Sequence, residues 1–468
     1  MHATGQSLRL AATAAESDLG AEAQAFLAAN PGIETAEIYI VDLHGIARGK
    51  RAPAASLSKI ATAGVPMPRC LMALDVWGND VEAAGLAATA GDGDALCRAV
   101  PGTLQPVTWA KSPTAQLQLT MHDADGAPFL GDPRQVLAQI LGRYARLGLT
   151  PVVATELEFY LLEAHSGEHG PMPPPHPTSG RRSCDPYLLS LDELEGFEAV
   201  FAAINLAARA QGIPTDTLIT EHGAGQFEIN LLHQADALRA ADHAVMFKRA
   251  VKGCARAHGL VATFMAKPFG QMAGSGLHVH MSLLDRQGRN VFDDGALGSP
   301  LLNHAVAGLC ATMRDFAAIM APNPNSYRRL RPGAFAPTAP TWGYDNRTVA
   351  VRIPQGSGPA RRLEHRVAGA DANPYLALAA ILAGVLHGLE EKLEAPAPST
   401  GCAYTDDPDG ALPPTLPEAL RLFEGSPIAK AYLGPDLVRY YTACKRQEER
   451  RLTGIVPPAE HEAYLRSL

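Results

Sequence analysis

The sequence predicts an α+β protein: a small β-rich unit at the N-terminus, then a larger unit built on a mostly antiparallel sheet flanked by helices. Three observations lead there. Short apolar stretches closed by turn residues crowd into positions 34–125. Beyond residue 130, strand-like and helix-like stretches intermix without strict β-α-β alternation. Several of those later strands carry charge on one face only.

Bulk properties narrow the class. A chain of 468 residues with 47% apolar and 19% charged content buries a large core and holds more than one domain. The net charge of −8, with no dominant basic cluster, argues against a nucleic-acid partner. Seven scattered cysteines without a Cys-x-x-Cys pair fit a reducing compartment better than a disulfide scaffold or a thiolate zinc site. No basic-then-apolar leader is visible, and the apolar run 376–386 is too short to span a bilayer. A cytoplasmic protein without membrane association is expected.

In chain order, residues 1–33 are an Ala-rich lead-in. The N-terminal unit, 34–125, shows a strand from about Ala36, a turn at His44-Gly45, a second strand, and another at 116–121. The larger unit, 130–468, opens with Asp132-Pro133, an N-cap acid followed by proline at the first helical position. Val136, Ile140, Tyr144 and Leu147 give that helix an apolar stripe. Residues 164–186 form a long Pro/Gly/His loop. Ser190-Leu-Asp-Glu193 is a capping box for a helix ending near Gly212. Further helices are expected at 235–258, from Pro300, and from Pro374. The run 445–451 reads as a solvated helix face.

Five strands carry the chemistry. In 154–162, alternation puts Thr155, Leu157 and Phe159 on one side and Glu156 with Glu158 on the other. In 221–231, Gln226, Glu228 and Asn230 share a face, with Glu221 at the start. In 274–282 the face holds His278, His280 and Ser282. The stretch 346–353 offers Arg347 and Arg352, and 361–367 offers Arg362, Glu364 and Arg366. A lone Glu or Arg on a strand is ordinarily its solvent face, and a lone His a hydrogen-bonded core residue. Their sum is different, because charges on core-like strands stay buried only when paired or bound to metal. Carboxylates with an imidazole suit Mg²⁺ or Mn²⁺, and arginines grip phosphate in a planar fork. Together they point to phosphoryl transfer with ATP. The Gly45–Arg51 stretch misses the P-loop spacing and lacks Ser/Thr after its lysine.

These segments, in this order, resemble the class I glutamine synthetase family, and within it the gamma-glutamylputrescine synthetase branch. The carrying stretches begin at Asp42, Ala154, Gly225, Ala262, Gly274, Asn325, Trp342 and Arg366 and run from about residue 35 to the C-terminus. The resemblance implies a β-grasp-like N-terminal domain before a glutamine synthetase-like catalytic domain. It implies one metal held by Glu158, Glu221 and Glu228, and another by Glu156, His278 and Glu364. It assigns ATP phosphates to Arg347 and Arg352, nucleotide contacts to His280 and Ser282, and the transferring phosphoryl group to Arg366. Glutamate is assigned to Arg329 and the Gly274 backbone. Asp75 matches an acid that accepts the amine's proton in a neighbouring subunit's site. A ring-shaped homo-oligomer (a dodecamer in the family) with active sites between subunits is implied as well.

Departures from the family set the acceptor. Ammonia-using members carry a glutamate on a flap, Pro-Gly-Tyr-Glu-Ala-Pro; here the segment is Pro332-Gly-Ala-Phe-Ala-Pro337, with Phe335 in place of the acid. Loss of that charge weakens an ammonium site, and an aromatic face can line a slot for an alkyl amine. Ala273 replaces an Asn, and Pro359 a Lys. The expected activity is ATP-dependent ligation of glutamate to a primary amine, putrescine first. The alternatives are another amine (ethanolamine, a monoalkylamine, spermidine), ammonia, or a catalytically silent homologue.

Overall fold

The computed structural model describes residues 19–468 apart from 88–90, 92, 166, 168–169, 183–184, 186, 296 and 405–409. The expected lead-in lies outside the described residues up to 18, and residues 19–29 are helical.

The first sheet has six strands: β1 (Thr35–Val41), β2 (Ala47–Pro53), β3 (Val65–Pro68), β4 (Asp94–Ala99), β5 (Gln105–Pro106) and β6 (Thr114–His122). Their order is β2-β1-β6-β4-β3, with β5 beside β6. β1 and β6 pair in parallel, and the other pairs are antiparallel. Between β1 and β2, Asp42 accepts from the backbone N–H groups of His44 and Ile46, both at 2.9 Å, while Gly45 takes a φ of 77° that a side chain would resist.

The second sheet has eight strands: β7 (Thr150–Glu163), β8 (Thr215–Thr220), β9 (Gln226–Leu231), β10 (Leu260–Thr263), β11 (Leu277–Leu284), β12 (Trp342–Tyr344), β13 (Val351–Ile353) and β14 (Leu363–His365). They run β12-β13-β14-β11-β7-β9-β8, with β10 also on β7, and only β12–β13 is parallel. The long β7 is its spine. Its apolar side, Leu157, Phe159 and Leu161, is fully buried. Phe159 meets Phe227 of β9, and Phe227 meets Phe201 of helix Glu198–Ala210 edge-on at 4.8 Å. Helices Pro133–Leu147, Ala237–Ala257 and Pro374–Glu391 complete that side, so the opposite face is left for polar chemistry.

Caps at three helices follow the sequence reading. The side chains of Asp132, Ser190 and Ser299 accept from the backbone N–H groups of Arg134, Glu193 and Leu302. Four expectations are corrected. Leu147 is 50% exposed, because the stripe it was to extend ends at Tyr144, where the helix runs out past the core. The helix from Ser190 breaks at Phe197, whose ring turns inward against Phe227. The stretch 221–231 is a turn followed by a short strand, paired with a strand (β8) that the sequence reading did not separate. Finally, Lys445 and Glu448 are 1% and 2% exposed and paired at 3.0 Å, so that side of the run is buried, while Arg446, Arg450 and Arg451 keep the solvated face.

A buried polar network ties the first sheet to the helices that cover the second. Gln118 of β6 donates to the Tyr375 hydroxyl, which donates to Asp242 at 2.6 Å. Asp242 also accepts a two-pronged contact from Arg134 at 2.8 and 3.0 Å. Asn373 donates to the Asp42 carbonyl at 2.9 Å.

Candidate active site

Sheet register assembles the site. Glu156 sits opposite His278 on one side and Asn230 on the other. Glu158 faces Glu228, and Glu364 faces both His280 and Arg352. Laterally paired residues share a face, so β13, β14, β11, β7 and β9 present one continuous charged surface. The strands around Arg347 and Arg361 are shorter than expected; Arg347 lies in the turn before β13.

Within that surface, Glu156 accepts from His280 Nε2 at 2.7 Å and lies 3.2 Å from His278 Nδ1. Glu158 accepts from the Gly276 N–H at 2.9 Å and from Gln226 at 3.2 Å. Glu364 accepts from Arg352 at 3.0 Å and is paired with Arg366. Arg352 also donates to Asp345 at 2.7 Å, and Arg362 lies 3.2 Å from His280 Nδ1. Arg329, 4% exposed, donates to the backbone carbonyls of Val367 and Arg366.

The acids divide into two electrostatic kinds. Burial resists ionisation of Glu156, but hydrogen bonds from His278 and His280 outweigh it and hold the carboxyl far below its ordinary value. Burial likewise resists ionisation of Glu364, and the Arg366 guanidinium overcomes it. Burial with the neighbouring Glu158 charge pushes Glu221 up to about 7, and burial with Glu156 and Glu158 pushes Glu228 up to about 10. At Glu221 a backbone hydrogen bond from His222 and the Arg347 charge favour ionisation but do not prevail. Without a cation among them, Glu228 keeps its proton near neutrality and Glu221 is protonated about half the time.

The donors gather accordingly. Ligand atoms of Glu158, Glu221 and Glu228 lie within 4.8 Å of one another, as do those of Glu156, Glu228 and His278, and of Glu156, His280 and Glu364. The resemblance joined Glu156 and Glu364 through His278; the geometry joins them through His280. An oxygen-rich set with one imidazole fits a hard or borderline divalent ion.

A cleft of about 830 Å³ covers this surface. Gly274, Arg329, Phe335, Arg347, Arg352 and Arg366 all line it. Ser282 is buried one step along β11 and does not line it. Asp75 is elsewhere, in a turn where its carboxylate accepts from Trp77, Asn79 and Gln447. Burial raises its pKa, but those hydrogen bonds dominate and lower it, so this carboxylate is a poor base as it stands.

At the cleft's lip the sequence points to Phe335 but not to its partner, His222. His222, in the β8–β9 turn, stacks on Phe335 with ring centres 5.1 Å apart and planes 7° from parallel. Phe335 is 63% exposed and holds a left-handed φ of 56°, a conformation costly for an aromatic residue. Leu188, Leu189, Ile219 and Tyr404 extend the apolar part of the wall. The available signal was His222 itself, adjacent to Glu221 and in a turn.

The chain is similar in sequence and shape to known proteins. The model of the glutamine synthetase catalytic domain matches residues 130–464. The gamma-glutamylputrescine synthetase PuuA of Escherichia coli (strain K12) is 40% identical over 448 residues, 95% of this chain and 94% of that protein. The gamma-glutamylethanolamide synthetase GlnA4 of Streptomyces coelicolor (strain ATCC BAA-471 / A3(2) / M145) is 35% identical, over 92% of each chain. The solved GmaS/ADP complex (conformation 1) superposes with a TM-score of 0.82 at 29% identity, covering 96% of this chain and 99% of that one. With the domain match and the similarity to PuuA extending over nearly its whole length, the chain belongs to the glutamine synthetase family.

Proposed function

We propose that the protein is an ATP-dependent ligase that joins the γ-carboxylate of L-glutamate to a primary amine, putrescine first, through a γ-glutamyl phosphate. Arg329 and the Gly274 backbone hold glutamate with its side chain toward Glu158. Arg347, Arg352 and Arg366 surround the phosphates and neutralise charge as the γ-carboxylate attacks the γ-phosphorus of ATP. Glu158, Glu221 and Glu228, and Glu156 with Glu364 and an imidazole, would hold divalent ions that neutralise the phosphate oxygens and orient the carboxylate. The unprotonated amine then attacks the acyl carbon, and phosphate leaves. Asp75 enters this reading as the acid of a neighbouring subunit in a homo-oligomeric ring, because within one chain it does not line the cleft.

The observation that carries the amine reading is the Phe335–His222 stack at the lip. It offers an apolar, polarisable face where an ammonium ion would require negative charge. Relatives named for putrescine and ethanolamine support the same class, as does a glutamate–isopropylamine ligase of Pseudomonas sp, 35% identical over 447 residues. Phosphate release with ATP, Mg²⁺ and glutamate, run against ammonium and an amine panel, tests it. Putrescine should give the highest kcat/KM. Best activity with ammonium would overturn the amine assignment, and no release with any nucleophile would indicate a silent homologue.

A further inference from the structure

A second cavity, about 880 Å³, lies between the first sheet and helix Ala237–Ala257. Its wall is basic. Lys248, Lys252 and Arg256 follow one another at i, i+4 and i+8 on that helix, and Lys111 faces them from the loop before β6. Like charges at this spacing repel. Among the described residues none of the four has a carboxylate within 4 Å. Glu37, on the same wall, is already shared by Arg51 and Arg249, each at 2.9 Å.

The two lysines converge. Lys248 Nζ lies 5.1 Å and Lys252 Nζ 5.7 Å from the centre of the same Phe264 ring. Burial, with Lys252 alongside, pushes the Lys248 ammonium down to about 7 against the opposing charge of Asp371. The rest of the wall includes Trp109, packed so tightly on the helix that a side chain at Gly253 would strike its indole. Apolar surface beside cations that Asp371 offsets only in part suits a small ligand with two or more negative charges on a carbon body.

The cavity touches the supports of the cleft. Lys248 Nζ donates to the Ala370 and Ala372 carbonyls at 2.7 and 3.4 Å. The Ala370 N–H donates to the Ser275 carbonyl at 3.0 Å, within the Gly274–Gly276 stretch beside Glu158. Asp371, also on the cavity wall, accepts from Asn323 at 2.7 Å and Ser326 at 2.6 Å, just ahead of Arg329. An anion that draws Lys248 away removes the donor from this segment.

We infer that the basic cavity is a regulatory site for a small polyanion, a polycarboxylate or a phosphate, whose binding weakens the hold on glutamate. This goes beyond the ligase reading and does not depend on which amine is used. The probes are tricarballylate and inorganic phosphate, titrated calorimetrically into the intact protein with Mg²⁺, glutamate and a non-hydrolysable ATP analogue filling the cleft.

At least one probe should bind, and charge reversal by Lys252→Glu at this exposed position should weaken it by about tenfold or more. Tighter binding of tricarballylate identifies the carboxylate source, and tighter binding of phosphate the other. In steady-state assays the bound probe should raise KM for glutamate several-fold with a smaller change in kcat, and Lys252→Gln should abolish that effect while leaving basal activity unchanged. The inference fails if neither probe binds, if the ATP analogue competes the probe away, if Lys252→Glu binds as well as the native protein, or if KM for glutamate does not rise.

Discussion

The two large cavities share the segment 369–373 as a common support and carry opposite charge. In the cleft, burial and crowded acids push two carboxyls up; in the cavity behind helix Ala237–Ala257, burial and a neighbouring lysine push an ammonium down. Each concentrates like charge that a bound counter-ion relieves. They differ in construction. The acidic surface is built by strand register, so neighbours in space are two residues apart or directly opposite. The basic wall draws on a helix face, a loop more than a hundred positions earlier and the carbonyls of a distant turn.

Three experiments would break or sharpen this contrast. The largest effect is expected from Glu158→Gln, which removes a charge touched by Gly276, Gln226 and the Glu221–Glu228 pair. Phosphate release should fall by about 10²–10³-fold with circular dichroism unchanged; near-native activity would show that this face is not where the chemistry occurs. Next is Phe335→Glu, expected to move the ratio of kcat/KM for ammonium over putrescine by about tenfold toward ammonium. An unchanged ratio would remove the lip from the account of specificity.

The smallest effect concerns pH. The folded carboxyls of Glu221 and Glu228 titrate near 7 and 10, above the ordinary value of about 4.3. Their neutral forms therefore favour the folded state fully below that ordinary value, and the contribution is lost as pH rises through the folded values. With chelator present, Tm should fall between about pH 5 and pH 8, and added Mg²⁺ should flatten the slope while releasing protons. A chelator-insensitive Tm profile would mean that no cation meets these acids.

Much of the sheet and its charged face was legible because alternation is a local signal. Glu156, Glu158, Glu228, His278, His280 and Glu364 fall on one side by period two alone. The hairpin β8–β9 was not separated, because Thr215–Thr220 is polar at its start and half-exposed, the pattern of an edge rather than a core strand. His222 and Phe335 meet only through tertiary folding, and Phe335 does so at a backbone angle that composition does not disclose. Lys445 and Glu448 show the same gap from the other direction. A charged run reads as solvated until a second layer covers it, here the β1–β2 turn, whose His44 is paired with Glu448.

The Gln118–Tyr375–Asp242–Arg134 network has a mechanical consequence. An oily seam between a sheet and the helices packed on it permits sliding at little cost, since dispersion contacts are easily exchanged. Hydrogen bonds at fixed angles among buried groups do not, because any slip strands a donor or a charge in a dry interior. The first sheet is thereby clamped in orientation against helices Pro133–Leu147, Ala237–Ala257 and Pro374–Glu391, and the cavity beside helix Ala237–Ala257 keeps its dimensions.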